Sequence, residues 1–234
     1  LDKEKWQQVL DLNLIPYFEE MKKQGKIRFF GFSFHDEFDV FKTIITYRNW
    51  DFCQIQYNYV DTDIQAGDRG YELAEELGIP LVIMEPVKGG SLASLPKEVV
   101  APFADYNPEA STASWALRWV ASKPNVKVVL SGMSTPEQVE DNLRTFHPFR
   151  PLSLKEKELV SEVSRRIKQR TKNGCTGCAY CMPCPFGVNI PKNFHIWNEL
   201  AMYGNKAKAE QAYFKDLSEK ERADQCHECG KCEE

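Results

Sequence analysis

Apolar side chains recur every three to four positions at Trp6, Val9, Leu10, Tyr17, Phe18 and Met21, which predicts helix over 3–24. Pro16 is expected to divide or kink that stretch, and Gly25 to end it. A strand follows at 27–34, a helix at about 37–48, and a second strand at about 52–59. Another helix runs to Leu77 and is closed by Gly78. Leu81-Val82-Ile83-Met84 is a continuous apolar run, the pattern of a strand buried on both faces. Asn107 and Pro108 predict a helix start, with the helix reaching about Ser122. Val126–Leu130 reads as one more buried strand, and Thr135-Pro136-Glu137-Gln138 opens a helix as a capping box.

Strand followed by helix, repeated four times, predicts parallel strands joined by helical crossovers. A closed (β/α)8 barrel needs about eight such units in roughly 250 residues. The α/β part, residues 1–150, therefore reads as half a barrel. The pattern changes after Pro151. Ser153-Leu154-Lys155-Glu156 is a second capping box and starts a charged amphipathic helix to about Arg170. Two further helices are predicted at about 191–203 and 205–216, so residues 151–234 read as a separate, mostly helical module. The chain opens at Leu1 and stops two residues past Cys232, and both ends read as interior to a longer protein.

Composition narrows the function classes. A net charge of −4 with well-mixed signs gives no electrostatic footprint for nucleic acid. No apolar run approaches the about 20 residues that span a bilayer. Of the eight cysteines, the first 174 residues hold only Cys53, which argues against a disulfide framework. Cys53 sits in an apolar strand pattern, as a small buried hydrophobe.

The other seven fall into two runs, Cys175-x-x-Cys178-x-x-Cys181-x-x-Cys184-Pro185 and Cys226-x-x-Cys229-x-x-Cys232. Two-residue gaps let successive thiolates converge on a cuboidal iron–sulfur cluster, and Gly177 and Gly230 permit its close approach. Structural zinc is the bland rival, but it takes four thiolates in paired Cys-x-x-Cys units, and unbroken runs ending in Cys-Pro fit a cluster better. In two-cluster ferredoxins the cysteine before proline ligates the other cluster. By that rule Cys184 joins Cys226, Cys229 and Cys232 in one complete [4Fe–4S] site. Cys175, Cys178 and Cys181 are then three ligands of a second, whose fourth lies past Glu234. The last gap of the first run is two residues rather than three, which leaves Cys184 open to either cluster. His227, between ligands, is expected in solvent.

Several segments resemble the aldo-keto reductase family. Gly25-Lys26-Ile27-Arg28 through Gly31-Phe32-Ser33 is similar to its fifth strand, and Gln54-Ile55-Gln56-Tyr57-Asn58 to its sixth. Glu85-Pro86-Val87-Lys88-Gly89-Gly90 resembles the loop after the seventh. Ser131-Gly132-Met133-Ser134, with Glu137-Gln138 and Asp141-Asn142, resembles the eighth strand and its helix. The tail resembles the ferredoxin-like extension of one branch. The resemblance implies the C-terminal half of a TIM barrel, with a nicotinamide dinucleotide, NADP or NAD, across its mouth. Ser33 and Gln54 would face the carboxamide, Gly89 and Gly90 the pyrophosphate, and Gly132, Ser134, Gln138 and Asn142 the adenosine end. Strand alternation independently puts Gln54, Gln56 and Asn58 on one face.

Phe34 stands where the family often has asparagine, and Met84 where it has a stacking aromatic. No Lys or Arg neighbours Gly132 or Gln138, so the choice between NADPH and NADH is open. The family's catalytic Asp, Tyr, Lys and His come from earlier strands, so no catalytic residue is assigned within this chain. Asp36 is expected as a helix cap, and His35, Asp61 and Asp63 as loop surface. The whole points to a cytoplasmic oxidoreductase acting on a small carbonyl or alcohol, coupled to a redox partner protein. Its rival is an electron carrier whose barrel is only a docking scaffold.

Overall fold

The computed structural model describes residues 1–233; Glu234, the last residue of the predicted helical module, lies outside them. Helices α1 (Lys3–Asp11) and α2 (Leu14–Lys23) lead into β1 (Phe32–Ser33) and α3 (Phe38–Ile45). Then come β2 (Cys53–Gln56), α4 (Gly67–Glu76), β3 (Leu81–Met84), α5 (Lys97–Tyr106), α6 (Thr112–Ala121), β4 (Val126–Val129) and α7 (Pro136–Phe146). The four strands form one parallel sheet in the order β1-β2-β3-β4. Period-two alternation splits its faces: Phe32, Cys53, Ile55, Leu81 and Ile83 are buried among Phe41, Ile44, Ile45, Ala74 and Val120 of the helices. Ser33, Gln54, Gln56, Val82 and Met84 occupy the opposite face and are half-buried.

Several expectations are corrected here. The first turn of α2 absorbs Pro16, where no intrahelical donor is required. The break falls instead at Asn13, in the left-handed region at φ 52°. Only Phe32–Ser33 of the predicted 27–34 strand is laddered, although Asp51 N–H to Phe30 O (3.1 Å) and Phe34 N–H to Gln54 O (3.0 Å) extend its pairing. Gly31 lies so close to the Phe52 carbonyl that any side chain there would collide with it. β3 buries only alternate residues. β4 is not buried: Lys127 and Val128 are exposed, because β4 is an edge of the sheet among the described residues.

Helix α5 was not expected, and Pro102 inside it explains why. A proline removes the N–H that would bond the carbonyl four residues back. Here that carbonyl, Glu98 O, accepts instead from Arg166 Nη1 at 3.1 Å. The next helix starts at Thr112 rather than Pro108, capped by Ser111 Oγ accepting from Ser114 N–H at 3.0 Å.

The remainder is helical: α8 (Leu154–Lys168), α9 (Ile190–Tyr203) and α10 (Lys206–Gln211), the last running into a π turn at Ala212–Asp216. The Ser153–Glu156 capping box forms as expected. Helix α8 does not stand apart from the sheet's helices. Leu152, Val160, Val163 and Ile167 share one core with Tyr59, Leu92, Phe103 and Trp115, and Tyr203 of α9 enters the same core. Arg118 with Glu156 (2.8 Å) and Arg170 with Glu98 (2.8 Å) brace its rim.

Candidate functional site

Parallel pairing brings every strand's C-terminal end to one edge, and the predicted dinucleotide residues collect there. Ser33 and Gln54 are direct partners in the ladder, with Gln54 Nε2 3.4 Å from Ser33 Oγ and 3.4 Å from Met84 Sδ. Both side chains are half-buried on the open face and carry no other partner among the described residues. Asn58 behaves differently. It is wholly buried, its Oδ1 accepts from Val60 N–H and Asp61 N–H (3.0 Å each), and its Nδ2 donates to Asp61 and Glu85 O. Asn58 is thus a structural polar group fixing the loop after β2.

Asp61 corrects the expectation of loop surface. It is 3% exposed and receives Lys88 Nζ at 2.7 and 3.0 Å. Sequence alone hid this pair because its members lie on loops after different strands. Asp63 is on the surface as expected. Asp36 does not cap the helix that follows it, whose N-cap position is Glu37 with no side-chain cap bond. One Asp36 oxygen accepts from the adjacent Glu37 N–H at 2.8 Å and the other from Lys3 N–H, in the first turn of α1, at 2.7 Å.

Gly89 and Gly90 follow β3 with φ of 56° and 84°. Their N–H groups make no hydrogen bond within the chain among the described residues, and both are exposed. Gly132 and Ser134 lie between β4 and α7, and Gln138 and Asn142 on α7 itself, one strand along the same edge. They are less available, because Gln138 Oε1 accepts from Ser134 N–H at 2.7 Å and Asn142 Nδ2 donates to Ser131 Oγ at 2.9 Å.

The two cysteine loops share a backbone signature. Each has positive φ two and four positions after its first cysteine: Gly177 and Ala179 in one, Glu228 and Gly230 in the other. Alternating handedness turns successive N–H groups inward to form a nest for anionic atoms. Two contacts show it at work. Glu228 N–H donates to Cys226 Sγ at 3.4 Å, and the Tyr180 N–H, with Thr176, lowers the Cys178 pKa below its ordinary value.

Helix α9 holds both loops. Asn198 Oδ1 accepts from Lys172 N–H (2.9 Å) and Asn173 N–H (3.1 Å), and Asn173 Oδ1 then accepts from Cys175 N–H (3.1 Å). Asn193 donates to Glu221 O (2.8 Å) and accepts from Ala223 N–H (3.0 Å), ahead of Cys226. These asparagines were missed in sequence, where they read as ordinary helix polar residues.

Cys181, Cys184, Cys226, Cys229 and Cys232 line one cavity of about 460 Å3, closed on one side by Phe186 stacked on His227 at 4.1 Å. His227 is exposed, as expected. Cys175 and Cys178 lie outside that cavity, Cys175 facing another with His195 and Asn198. Among the described residues, no three His, Cys, Asp or Glu side chains converge on one point. Five cysteines in the wall of one cavity, carried on nested backbone, fit an iron–sulfur cluster in donor chemistry and in room. Cys53 is fully buried far from this chemistry in sequence, and burial pushes its thiol up to about 12.

The aldo/keto reductase family model matches residues 4–165, more than half of the chain. The chain belongs to the aldo/keto reductase family. A 4Fe-4S dicluster domain model matches residues 174–234, so the family fold here carries an iron–sulfur domain behind it. Among solved aldo-keto reductases, the holo form of AKR11C1 from Bacillus halodurans aligns with a TM-score of 0.52 and 23% identity, over 62% of this chain and 53% of that one. The thermostable Tm1743, solved with the inhibitor epalrestat, aligns at 0.52 and 26% identity, over 62% and 52%. An enzyme from Klebsiella pneumoniae, solved with NADPH, aligns at 0.51 and 16% identity, over 64% and 52%. The chain spans about half the length of these relatives. No curated protein sequence matches it. No helix among the described residues is long and apolar enough to cross a membrane.

Proposed function

We propose that this chain supplies the dinucleotide-binding half of an NAD(P)-dependent aldo-keto reductase, coupled to a two-cluster electron-transfer module. One observation carries the reading: Ser33 and Gln54 pair on adjacent strands, and Gly89 and Gly90 follow the next strand, of the same parallel sheet whose chain continues into two nested cysteine loops. The paired Ser33 and Gln54 offer a hydroxyl and an amide to a nicotinamide carboxamide, and the two free glycine amides suit a diphosphate. The bound dinucleotide supplies hydride chemistry toward a small carbonyl or alcohol. Cys184, Cys226, Cys229 and Cys232 hold one [4Fe–4S] cluster, and Cys175, Cys178 and Cys181 contribute to a second. Cys181, assigned here to the second cluster, lines the first cavity as well. The clusters pass single electrons to a redox partner protein, and thiolate ligation suits a reducing cytoplasm.

Nothing in these residues supplies the general acid, so the chain itself is expected to bind dinucleotide without reducing aldehydes. Anaerobic reconstitution with iron and sulfide, followed by NADPH titration and an aldehyde assay, tests this. A colourless, zinc-loaded product or turnover of a simple aldehyde by the chain would sink it. A second reading, an electron carrier with the barrel as scaffold, is favoured by the Ser134 amide being already bonded to Gln138. Failure to bind any nicotinamide nucleotide selects it.

A further inference from the structure

The loop after β3 carries a charge arrangement in which the iron–sulfur module takes part. It is coiled by Lys88 N–H to Glu85 O, Ser91 N–H to Lys88 O and Ala93 N–H to Gly90 O, each 3.0 Å, which leaves the Gly89 and Gly90 amides free. The loop's own cation is already spent, since Lys88 is bonded to both oxygens of buried Asp61. An exposed carboxylate stands nearby: Glu85 Oε2 lies 3.6 Å from the position a Cβ on Gly89 would take. The Glu85 charge works against the diphosphate that the free amides would accept.

Lys208 of α10 changes the sign. Its Nζ lies 3.9 Å from the same Gly89 position and donates to Ser91 Oγ at 3.0 Å. It forms no ion pair with a carboxylate among the described residues. Its place is fixed by the turn that precedes it. Gly204 is left-handed at φ 71° and packed against Pro96, and Asn205 Oδ1 then caps α10 by accepting from Lys208 N–H at 3.0 Å. On the other side of Lys208 a cavity of about 230 Å3 is lined by Lys192, His195, Glu199 and mostly apolar residues, so the room for a diphosphate is on the exposed Gly89 side rather than in that cavity.

We infer that Lys208, a residue of the iron–sulfur module, binds the dinucleotide's diphosphate on the Gly89-Gly90 loop. The inference rests on the dinucleotide reading above. One module thereby completes the binding site of the other, and the nucleotide bridges them.

The test is calorimetric titration of the cluster-loaded protein with NADPH and with nicotinamide mononucleotide, which has no diphosphate, at two salt concentrations. Lys208→Gln should weaken NADPH binding about tenfold, the loss expected for one charge-assisted hydrogen bond, and flatten its salt dependence. Mononucleotide affinity and iron content should not change. Lys208→Arg should restore NADPH binding, and Lys206→Gln, an exposed neighbour on the same helix, should leave it alone. NADPH affinity of Lys208→Gln within about twofold of the unmodified protein overturns the inference while leaving the dinucleotide reading intact. If the unmodified, cluster-loaded protein binds no NADPH, the dinucleotide reading falls and this inference with it.

Discussion

Asp61 and Lys88 show how much one residue pair carries. The carboxylate is buried, its two oxygens take Lys88, and Asn58 and Gln56 donate to it as well. Truncating one partner leaves the other charge uncompensated in a poorly solvated place. Asp61→Ala should therefore lower stability by about 3 kcal/mol, the lower end of the range for a broken buried pair, because Lys88 keeps some water contact. Urea unfolding measures it, and a loss under about 1 kcal/mol means the pair is behaving as a surface bridge. The same residue marks a limit of sequence reading. A lone aspartate after a strand carries no sign of its partner on the next loop, 27 residues on. The face of Gln54 was legible, because alternation along a strand fixes a face without any knowledge of the fold, whereas Ser33 was singled out only by the family resemblance.

Among the elements, what could be read was what depends on local physics. The Ser153–Glu156 capping box, the helix start at Thr135 (a cap without the full box, since Gln138 Oε1 takes Ser134 N–H), the helix stop at Gly204 and the alternation of β2 need only neighbours in sequence. What failed depends on contacts made far away. Helix α5 tolerates Pro102 only because Arg166 of α8 takes up the stranded carbonyl, and β4 lost its expected burial by lying at an edge. Between α6 and α8 the Arg118–Glu156 pair makes a pH prediction. Burial pushes the Glu156 carboxyl up, but Arg118 and the hydrogen bonds from Ser153 outweigh it and hold it below 4.5. A depressed carboxyl contributes stability above its unfolded pKa and loses it as pH falls through the folded value. Glu156→Gln should thus destabilise at pH 7 by about 1–3 kcal/mol. The gap between variant and unmodified protein should close progressively below about pH 4.5. Parallel unfolding curves at pH 7 and pH 3.5 decide it, and a pH-independent gap would rule out the ion pair as its source.

For the molecule as a whole, the number of cysteine runs and their spacing were plain in the sequence, and the iron–sulfur domain followed. Sharing of Cys184 with the second run was expected from the Cys-Pro pattern, but its own run stayed open to it, because that choice depends on which loops face one cavity. Cys184 lines one cavity with Cys181, Cys226, Cys229 and Cys232, so its role as a ligand can be tested directly. Cys184→Ser should convert the cluster on the Cys226 loop into a three-iron form, or lose it. Iron should drop by about one to four atoms per chain, with a new electron-paramagnetic signal in the oxidised protein in the first case. Unchanged iron and spectra would assign Cys184 no ligand role. Gly230 offers a second handle, since its φ of 76° admits a larger side chain only with strain.

The core shared by α8, Tyr203 and the helices around Trp115 has a bearing on how this protein breaks. Thr171, Lys172 and Gly174 are exposed between α8 and the first cysteine, an inviting place for a protease. A cut there would sever the peptide without parting the pieces. Asn198 would still grip the residues next to the cut, Arg170 would still reach Ala201 O at 2.7 Å, and Tyr203 would stay embedded on the far side. A nicked sample would run as two bands under denaturing conditions and as one species in gel filtration.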